Sequence, residues 1–348
     1  MRRLLPADPG AGPLISKLGP LISKLDYVRP VLGPPWRALR RAVRVLTVDL
    51  PAAASVLPSL RRDAGQVTLA WPERQPALRP EVALFAHYDT AGEVSEAARS
   101  YLAALRAAGL SVLFASNAAE LQPSALAAVQ ALCDGVLVRR NFGLDFAAWR
   151  AGIEHWSLPR ADTRMLLLVN DSLLGPFAPL RPLLDRLDFT EADVWAATES
   201  RQRRWHLQSF FLAVGPRAMA SLAWTAFWAG VRPVRSKEWV IAHCELGFAR
   251  RMRAGGLRCR AVWPYPAILA RYHADAATGA SADEQRQRAR IDRFLSRGRA
   301  LNPSADLWRQ LLRLGFPFIK RELLGRNPAA VADVADWEAE AARLTAQA

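Results

Sequence analysis

The chain has 348 residues, 51% of them hydrophobic and 23% charged, which supports a sizeable core and excludes a globally disordered chain. Its net charge of +15, carried mostly by arginine, points either to anionic partners or to a composition that writes Arg wherever Lys would serve. Cys133, Cys244 and Cys259 lie far apart with no CxxC, and the odd count argues against a disulfide framework and reads as intracellular; no uncharged stretch approaches the ~20 apolar residues of a membrane span.

The basic start Met1-Arg2-Arg3 is broken by Pro6, Pro9 and Gly10 before the apolar core of a signal peptide can form. Residues 12–18 read GPLISKL and residues 19–25 repeat it; two copies do not make a solenoid, and the pattern reads as a slipped duplication in a tolerant tail. Trp36, Leu39, Val43 and Leu46 share one helical face, and Arg37, Arg40, Arg41 and Arg44 line the rest. This short basic amphipathic helix either lies on an anionic membrane surface or packs on the main domain with a solvated arginine face.

From Glu81 the pattern becomes regular. Apolar runs predict strands at 82–87, 110–115, 135–138 and 165–169, separated by helical patterns at 94–108, 124–133 and 145–155. Further strands are expected at 194–198, 210–214 and 258–263, with helices at 217–228 and 237–254. A helical region from about 282 is broken at Pro303, Pro317 and Pro328. The alternation predicts an α/β fold, a Rossmann-like, mostly parallel sheet flanked by helices, with a C-terminal helical extension. The chain divides into an N-terminal arm (1–80), the α/β domain (81–270) and the extension (271–348).

In open parallel sheets ligands bind beyond the carboxyl ends of the strands. The residues just past those ends are His87-Tyr88-Asp89, Ser116-Asn117, Arg139-Arg140-Asn141 and Asn170-Asp171-Ser172, so one sheet edge collects polar and charged groups. In RRNFGLDFAAWRAG (139–152), Gly143 permits a tight turn and Asp145 falls where a helix N-cap is expected. The helix N-terminus and the arginines suit a phosphate, or else Asp145 only caps and the arginines only solvate. Asn170, Asp171 and Ser172 end a buried strand; they either face a ligand or form an Asx-type turn leading into Gly175-Pro176.

The segment from 141 to 172 resembles the nucleotide-sugar fold of type A glycosyltransferases, where a strand ends in an Asp-any-Asp motif that holds a divalent metal against the donor diphosphate. Here the motif is Asn170-Asp171-Ser172, with one carboxylate, so Asp171 is the implied metal ligand for Mg²⁺ or Mn²⁺ and the metal requirement is left open. A more specific resemblance, to the rhamnan synthesis protein F family of bacterial polysaccharide assembly, is carried in order by AHYD (86–89), NFGLDFAAW (141–149), VNDSLLGPF (169–177) and ATES (197–200). WHLQSFFLAVG (205–215), IAHCELG (241–247) and GFPFIKRELLGRNP (315–328) continue it. That resemblance implies a cytoplasmic, nucleotide-sugar-dependent glycosyltransferase acting on cell-surface polysaccharide or lipopolysaccharide, with rhamnose a candidate sugar. A saccharide or lipid-linked saccharide acceptor and other polysaccharide biosynthesis proteins are its natural partners, at the inner face of the cell envelope.

Transfer with inversion needs a base for the acceptor hydroxyl, and a nearby carboxylate stabilises positive charge developing on the sugar. Glu199 and His206 are candidates, against a turn residue and a hydrogen-bonded histidine. Glu245 flanks an apolar helix stripe and either pairs with an arginine or points into the site. Lys320-Arg321 either reach a diphosphate or lipid phosphate, or belong to a packed helix behind Pro317. The expected donor-binding set is therefore His87, Tyr88, Asp89, Arg140, Asn141, Gly143, Asp145, Asn170, Asp171, Ser172, Lys320 and Arg321. A nucleic-acid binder is disfavoured by arginines spread along the chain and by the lack of zinc spacing or an RNA-binding aromatic motif. A non-catalytic component of an assembly machine, on a decayed glycosyltransferase fold, is the remaining alternative.

Overall fold

The structure, a computed structural model, describes residues 66–275 and 281–345, with single residues at 45, 50 and 54. The repeat at 12–25 and the predicted helix over 36–46 lie outside the described residues.

Eleven strands are described. They are β1 Val67–Trp71, β2 Glu81–His87, β3 Ser111–Ser116, β4 Gly135–Arg139, β5 Met165–Asn170 and β6 Leu173–Leu174, then β7 Val194–Ser200, β8 His206–Leu207, β9 Phe211–Val214, β10 Cys259–Trp263 and β11 Ile319–Lys320. Nine form one sheet in the order β1-β4-β3-β2-β5-β9-β7-β10, with β8 pairing β7 off this path. Pairings β3–β4, β2–β3, β2–β5 and β7–β10 are parallel; β1–β4, β5–β9 and β7–β9 are antiparallel. β7 therefore runs in the same direction as β5, and six strands share one carboxyl edge. The central strands are buried along their whole length, which is why they read as continuous apolar runs.

The expected α/β architecture is present, with two differences. The predicted strand at 210–214 inserts antiparallel between β5 and β7, so the sheet is mixed. β1, which falls inside the expected N-terminal arm, joins the sheet edge, so the sheet begins at Val67 and not at 81. An apolar pattern records burial and not strand direction, so neither difference was visible in it.

Helices cover both faces. α1 (Glu96–Ala107) and α2 (Pro123–Leu132) lie on one; α3 (Leu144–His155), α4 (Leu222–Gly230) and α5 (Leu246–Ala254) lie on the other. The pleat of β2 divides its side chains between the two layers: Ala83 and Phe85 face Tyr101, Leu102 and Val129, while Val82 and Leu84 face Trp149, Phe227 and Phe248. The predicted helix at 217–228 breaks at Ser221, whose hydroxyl caps the Trp224 N–H at 3.2 Å. The predicted helix at 237–254 contains a π turn at Ile241–Glu245.

α6 (Tyr265–Ala274), α7 (Ala282–Ser296), α8 (Trp308–Arg313) and α9 (Trp337–Thr345) form the expected C-terminal helical part. It is bound to the sheet: Phe316 and Phe318 sit in the same core as Phe85 and Tyr101, and Gln208 donates to Asn302 and Ser304, each at 3.0 Å. β11 pairs antiparallel with β6, placing Lys320 opposite Leu173. Arg309, 5% exposed, holds Asp333, Asp336 and Glu340 and so fixes the last helix against α8.

Candidate active site

The chain passes from β2 outward to β3 and β4, then crosses back so that β5 lies on the other side of β2. The strand order reverses there, and the crevice beyond the carboxyl ends of β2 and β5 is the natural ligand position of such a sheet. Ala86 is in register with Asn170, and the Asp171 N–H donates to the Ala86 carbonyl at 3.2 Å, so the two predicted strand-end clusters meet.

Asn170 has two jobs. Its side-chain carbonyl accepts the Ser172 N–H at 3.2 Å and hydroxyl at 2.6 Å, an Asx-type turn; its amide donates to the Asp145 carboxylate at 2.7 Å. The Asx-type turn of the two alternatives is formed, and Asp171 lies close enough to Asp145 to feel its charge. Burial, then the neighbouring Asp145 charge, pushes Asp171 up to about 7, with Arg321 opposing. Asp145 is pushed up to about 6 by burial, with Glu245 adding to the rise and the Asn170 hydrogen bond and Lys237 opposing it.

Asp145 is not the N-cap. Gly143 takes that position at φ +86°, its N–H donating to the Val234 carbonyl at 2.7 Å, and the Asp145 carboxylate in the first turn is left for Asn170. A Cβ on Gly143 would lie 2.5 Å from Ala147 Cβ and 3.0 Å from the Arg232 carbonyl oxygen, so glycine is required by space as well as by backbone. The turn is braced from neighbouring strand ends: the Asn117 amide donates to the Leu144 carbonyl at 3.1 Å, and Arg139 donates to Asn117 and to the Phe142 carbonyl.

The C-terminal segment supplies the cation. Arg321 donates to the Asp171 carbonyl at 2.9 Å, and its guanidinium is 3.5 Å from the Asp171 carboxylate. The Arg321 N–H donates to the Ser172 carbonyl at 3.0 Å, so β11 delivers this residue across 150 positions of sequence. His87, held at 3.0 Å from the Ser116 hydroxyl, is pushed down to about 4 by burial, with Arg321 adding to the fall and Asp89 opposing it; it is neutral at pH 7.

The other expected residues divide. Tyr88, 45% exposed, stands at the rim. Asp89 is spent on its own loop, accepting the Ala91 and Glu93 N–H groups at 2.8 and 3.1 Å. Lys320 pairs with Glu322 at 3.4 Å. No hydrogen bond or ion pair ties the side chains of exposed Arg140 or half-buried Asn141 to the Asp145–Asp171 group among the described residues. Glu199 does end a strand on this edge, but its carboxylate is occupied by the Trp205 indole N–H at 2.8 Å and the Tyr265 N–H at 3.2 Å. His206 has Nδ1 at 2.9 Å from the Arg204 carbonyl. Glu245, at the end of the π turn, is half-buried and near enough to Asp145 to raise its pKa, and it has no hydrogen-bond or ion-pair partner among the described residues; the arginine pairing considered for it is not formed. Lys237, near Asp145, was not singled out from sequence; the only signal was Ser236 in N-cap position before it.

Among the described residues no group of three or more His, Cys, Asp or Glu side chains could hold a metal ion. A dedicated protein cage is therefore not built there, but Asp171 with Asp145 behind it suits a hard cation shared with a ligand's phosphates. The Asp145 charge raises the Asp171 pKa, a repulsion that a cation relieves, and Mg²⁺ is commonly held by one or two carboxylates plus substrate phosphates.

Residues 112–281 match the family Rhamnan synthesis protein F. The matched segment is just under half of the chain. The match runs from β3 to the end of α6 and takes in Asp145, Asp171 and Glu245, and the family resemblance carried by the motifs is borne out. Virulence protein VirA of Vibrio anguillarum (strain ATCC 68554 / 775) is 30% identical over 200 residues, covering 56% of this chain and 64% of that protein. The chain thus spans a little under two thirds of that relative's length. Protein y4gN of Sinorhizobium fredii (strain NBRC 101917 / NGR234), an uncharacterized protein, is 24% identical over 165 residues, 46% of this chain and 43% of that protein. Among solved structures, the galactosyltransferase LgtC with donor and acceptor sugar analogues is similar at 13% identity and a TM-score of 0.29, over 52% of this chain and 73% of that one. The assignment of fold rests on the strand order itself.

Proposed function

We propose that the protein is a glycosyltransferase that moves a sugar from a nucleotide diphosphate sugar to a growing cell-surface polysaccharide or lipopolysaccharide acceptor, working at the inner face of the cytoplasmic membrane beside other polysaccharide biosynthesis proteins. The observation that carries this reading is the meeting of Asp171, Asp145 and Arg321 at the β2–β5 switch point, in a chain of which residues 112–281 match a family named for rhamnan synthesis. Rhamnose is the first sugar to test.

Arg321 and Lys237 supply positive charge for the donor diphosphate, and Arg321 gives up its contact with the Asp171 carboxylate to do so. Asn170 holds Asp145 in place and, through its own turn, orients Asp171. The exposed Tyr88 ring offers a stacking face for a sugar or a base. Glu245 is the base for the acceptor hydroxyl, because its carboxylate is unengaged, whereas Glu199 is held by two N–H donors and is a positioning residue for the α6 N-terminus. A divalent cation, when bound, is held by Asp171 and neutralises charge on the leaving diphosphate.

The test is release of nucleoside diphosphate from dTDP-rhamnose, UDP-sugars and GDP-sugars, with Mg²⁺, Mn²⁺ or chelator. Turnover of one donor class, lost in Asp171→Asn and in Glu245→Gln, is expected. A folded protein that turns over none of them with any acceptor fraction is the non-catalytic assembly component instead.

A further inference from the structure

The charge of this chain is not spread evenly. Residues 201–260 hold twelve Lys and Arg against two Asp and Glu, so this segment contributes ten of the fifteen net positive charges. One of its two acids, Glu238, is paired with Arg203 at 3.4 Å, and the other, Glu245, is half-buried near Asp145. Acids from outside the segment pair with three of its arginines, Asp193 with Arg217 and Arg258 and Glu191 with Arg260, whereas Arg250, Arg251 and Arg253 have no carboxylate partner among the described residues.

Much of that segment forms one layer. α4 and α5 lie side by side: Phe227 packs edge-to-face on Phe248 at 5.0 Å, Arg251 donates to the Ala226 carbonyl at 3.1 Å, and a Cβ on Gly255 would meet Ala223 Cβ at 2.6 Å. Their inner residues, Trp224, Phe227, Phe248 and Met252, belong to the core on that face of the sheet. Their outer residues are of two kinds. Along α4, Leu222, Ala226 and Ala229 recur at helical spacing and are exposed, with Leu222 at 88%. Along α5 and just before α4, Arg250, Arg251, Arg253 and Arg217 are exposed. A protruding leucine on a small-residue stripe, flanked by Arg250, Arg251 and Arg253 with no carboxylate partner among the described residues (Arg217 is paired with Asp193), has the chemistry of an interfacial membrane anchor: the apolar residue enters the acyl boundary and the cations meet lipid phosphates.

We propose that the outer face of α4 and α5 docks the protein on an anionic lipid bilayer, with Leu222 inserted and Arg250 and Arg251 on the headgroups. The face flanks the candidate site, since the Val234 carbonyl in the segment leaving α4 accepts the Gly143 N–H, so docking presents the β2–β5 crevice near the surface where a lipid-linked acceptor resides.

The experiment is co-sedimentation of the full chain with phosphatidylcholine vesicles and with vesicles containing phosphatidylglycerol, at low and high salt. Wild type is compared with Leu222→Gln, with Arg250→Gln/Arg251→Gln, and with duplex DNA as competitor. All these substitutions are at exposed positions, and thermal melts confirm folding. Binding is expected only to the phosphatidylglycerol vesicles and to weaken with salt. Each basic residue near an anionic surface is worth about fivefold in partitioning, so the double arginine variant should bind about 25-fold more weakly. Leu222→Gln should bind about tenfold more weakly, from the lost burial of one leucine. The proposal is overturned if the folded wild type ignores phosphatidylglycerol vesicles, if the variants bind them as wild type does, or if they lose DNA binding alone. Nucleotide-sugar binding is read separately and is untouched by these variants, so failure here leaves the donor site standing.

Discussion

The amide of Asn170 donates to the carboxylate of Asp145 at 2.7 Å, joining the end of β5 to the first turn of α3 across 25 residues of sequence. The same Asn170 carbonyl closes the turn that carries Asp171. Replacing it with alanine strips one buried carboxylate of its donor and the Ser172 N–H of its acceptor. Asn170→Ala should lower stability by about 2 kcal/mol in urea unfolding, since hydrogen bonds to charged groups are worth ~1.5–3 kcal/mol.

Asp171 gives a pH signature. Its carboxyl is raised from 3.8 to about 7, so the folded protein holds a proton that the unfolded chain releases near 3.8. The folded state is favoured while both forms are protonated, and that stability is lost as pH rises from about 4 to about 7. Asp171→Asn removes the ionisation. Its urea midpoint should match wild type at the acid end of that window and exceed it above pH 7; an equal offset at both ends would contradict the assignment.

Gly143→Ala tests the turn that starts α3. A left-handed backbone costs a non-glycine residue ~1–2 kcal/mol, and the added Cβ also meets Ala147 and the Arg232 carbonyl, neither the far end of a flexible side chain. A loss of about 3 kcal/mol is expected, read as a fall in melting temperature.

The strand ends were legible because the central strands are apolar throughout and stop at Asn170 or His87, where a buried sheet meets a polar edge. His87, Asn170 and Asp171 were read as strand-end residues this way, and the order of strands and helices followed from alternation. Three things were not. The antiparallel direction of β9 leaves no trace in an apolar run. Gly143 and Asp145 looked like a turn and a cap, and only the closeness of the Val234 segment shows that glycine caps and the aspartate is free for Asn170. The pairing of Arg321 with Asp171 depends on a β11–β6 contact that no local pattern encodes, although Lys320-Arg321 in GFPFIKRE was a visible basic pair. Glu199 is a related case: its position on the edge was legible, but the donors from Trp205 and Tyr265 that hold its oxygens were not.

Arg309 should be the most sensitive position of the C-terminal helices. Arg309→Ala leaves Asp333 and Glu340, 6% and 3% exposed, without their buried cation. Breaking such a network typically costs about 3–5 kcal/mol. Urea unfolding should show that loss. Because α8 and α9 lean on the segment that carries β11, limited proteolysis should cut the variant first beyond Gly315.

The central claim is that the β2–β5 edge binds the donor's diphosphate. Calorimetric titration of dTDP-, UDP- and GDP-sugars into wild type, Asp171→Asn and Arg321→Ala, with Mn²⁺ present, tests it most directly. One nucleotide class should bind wild type and bind Arg321→Ala about tenfold to a hundredfold more weakly, the loss expected for one charge-assisted contact, with a clear loss in Asp171→Asn as well. Donor binding of equal strength in all three proteins would place the diphosphate elsewhere, and no binding to folded wild type would contradict the donor site altogether.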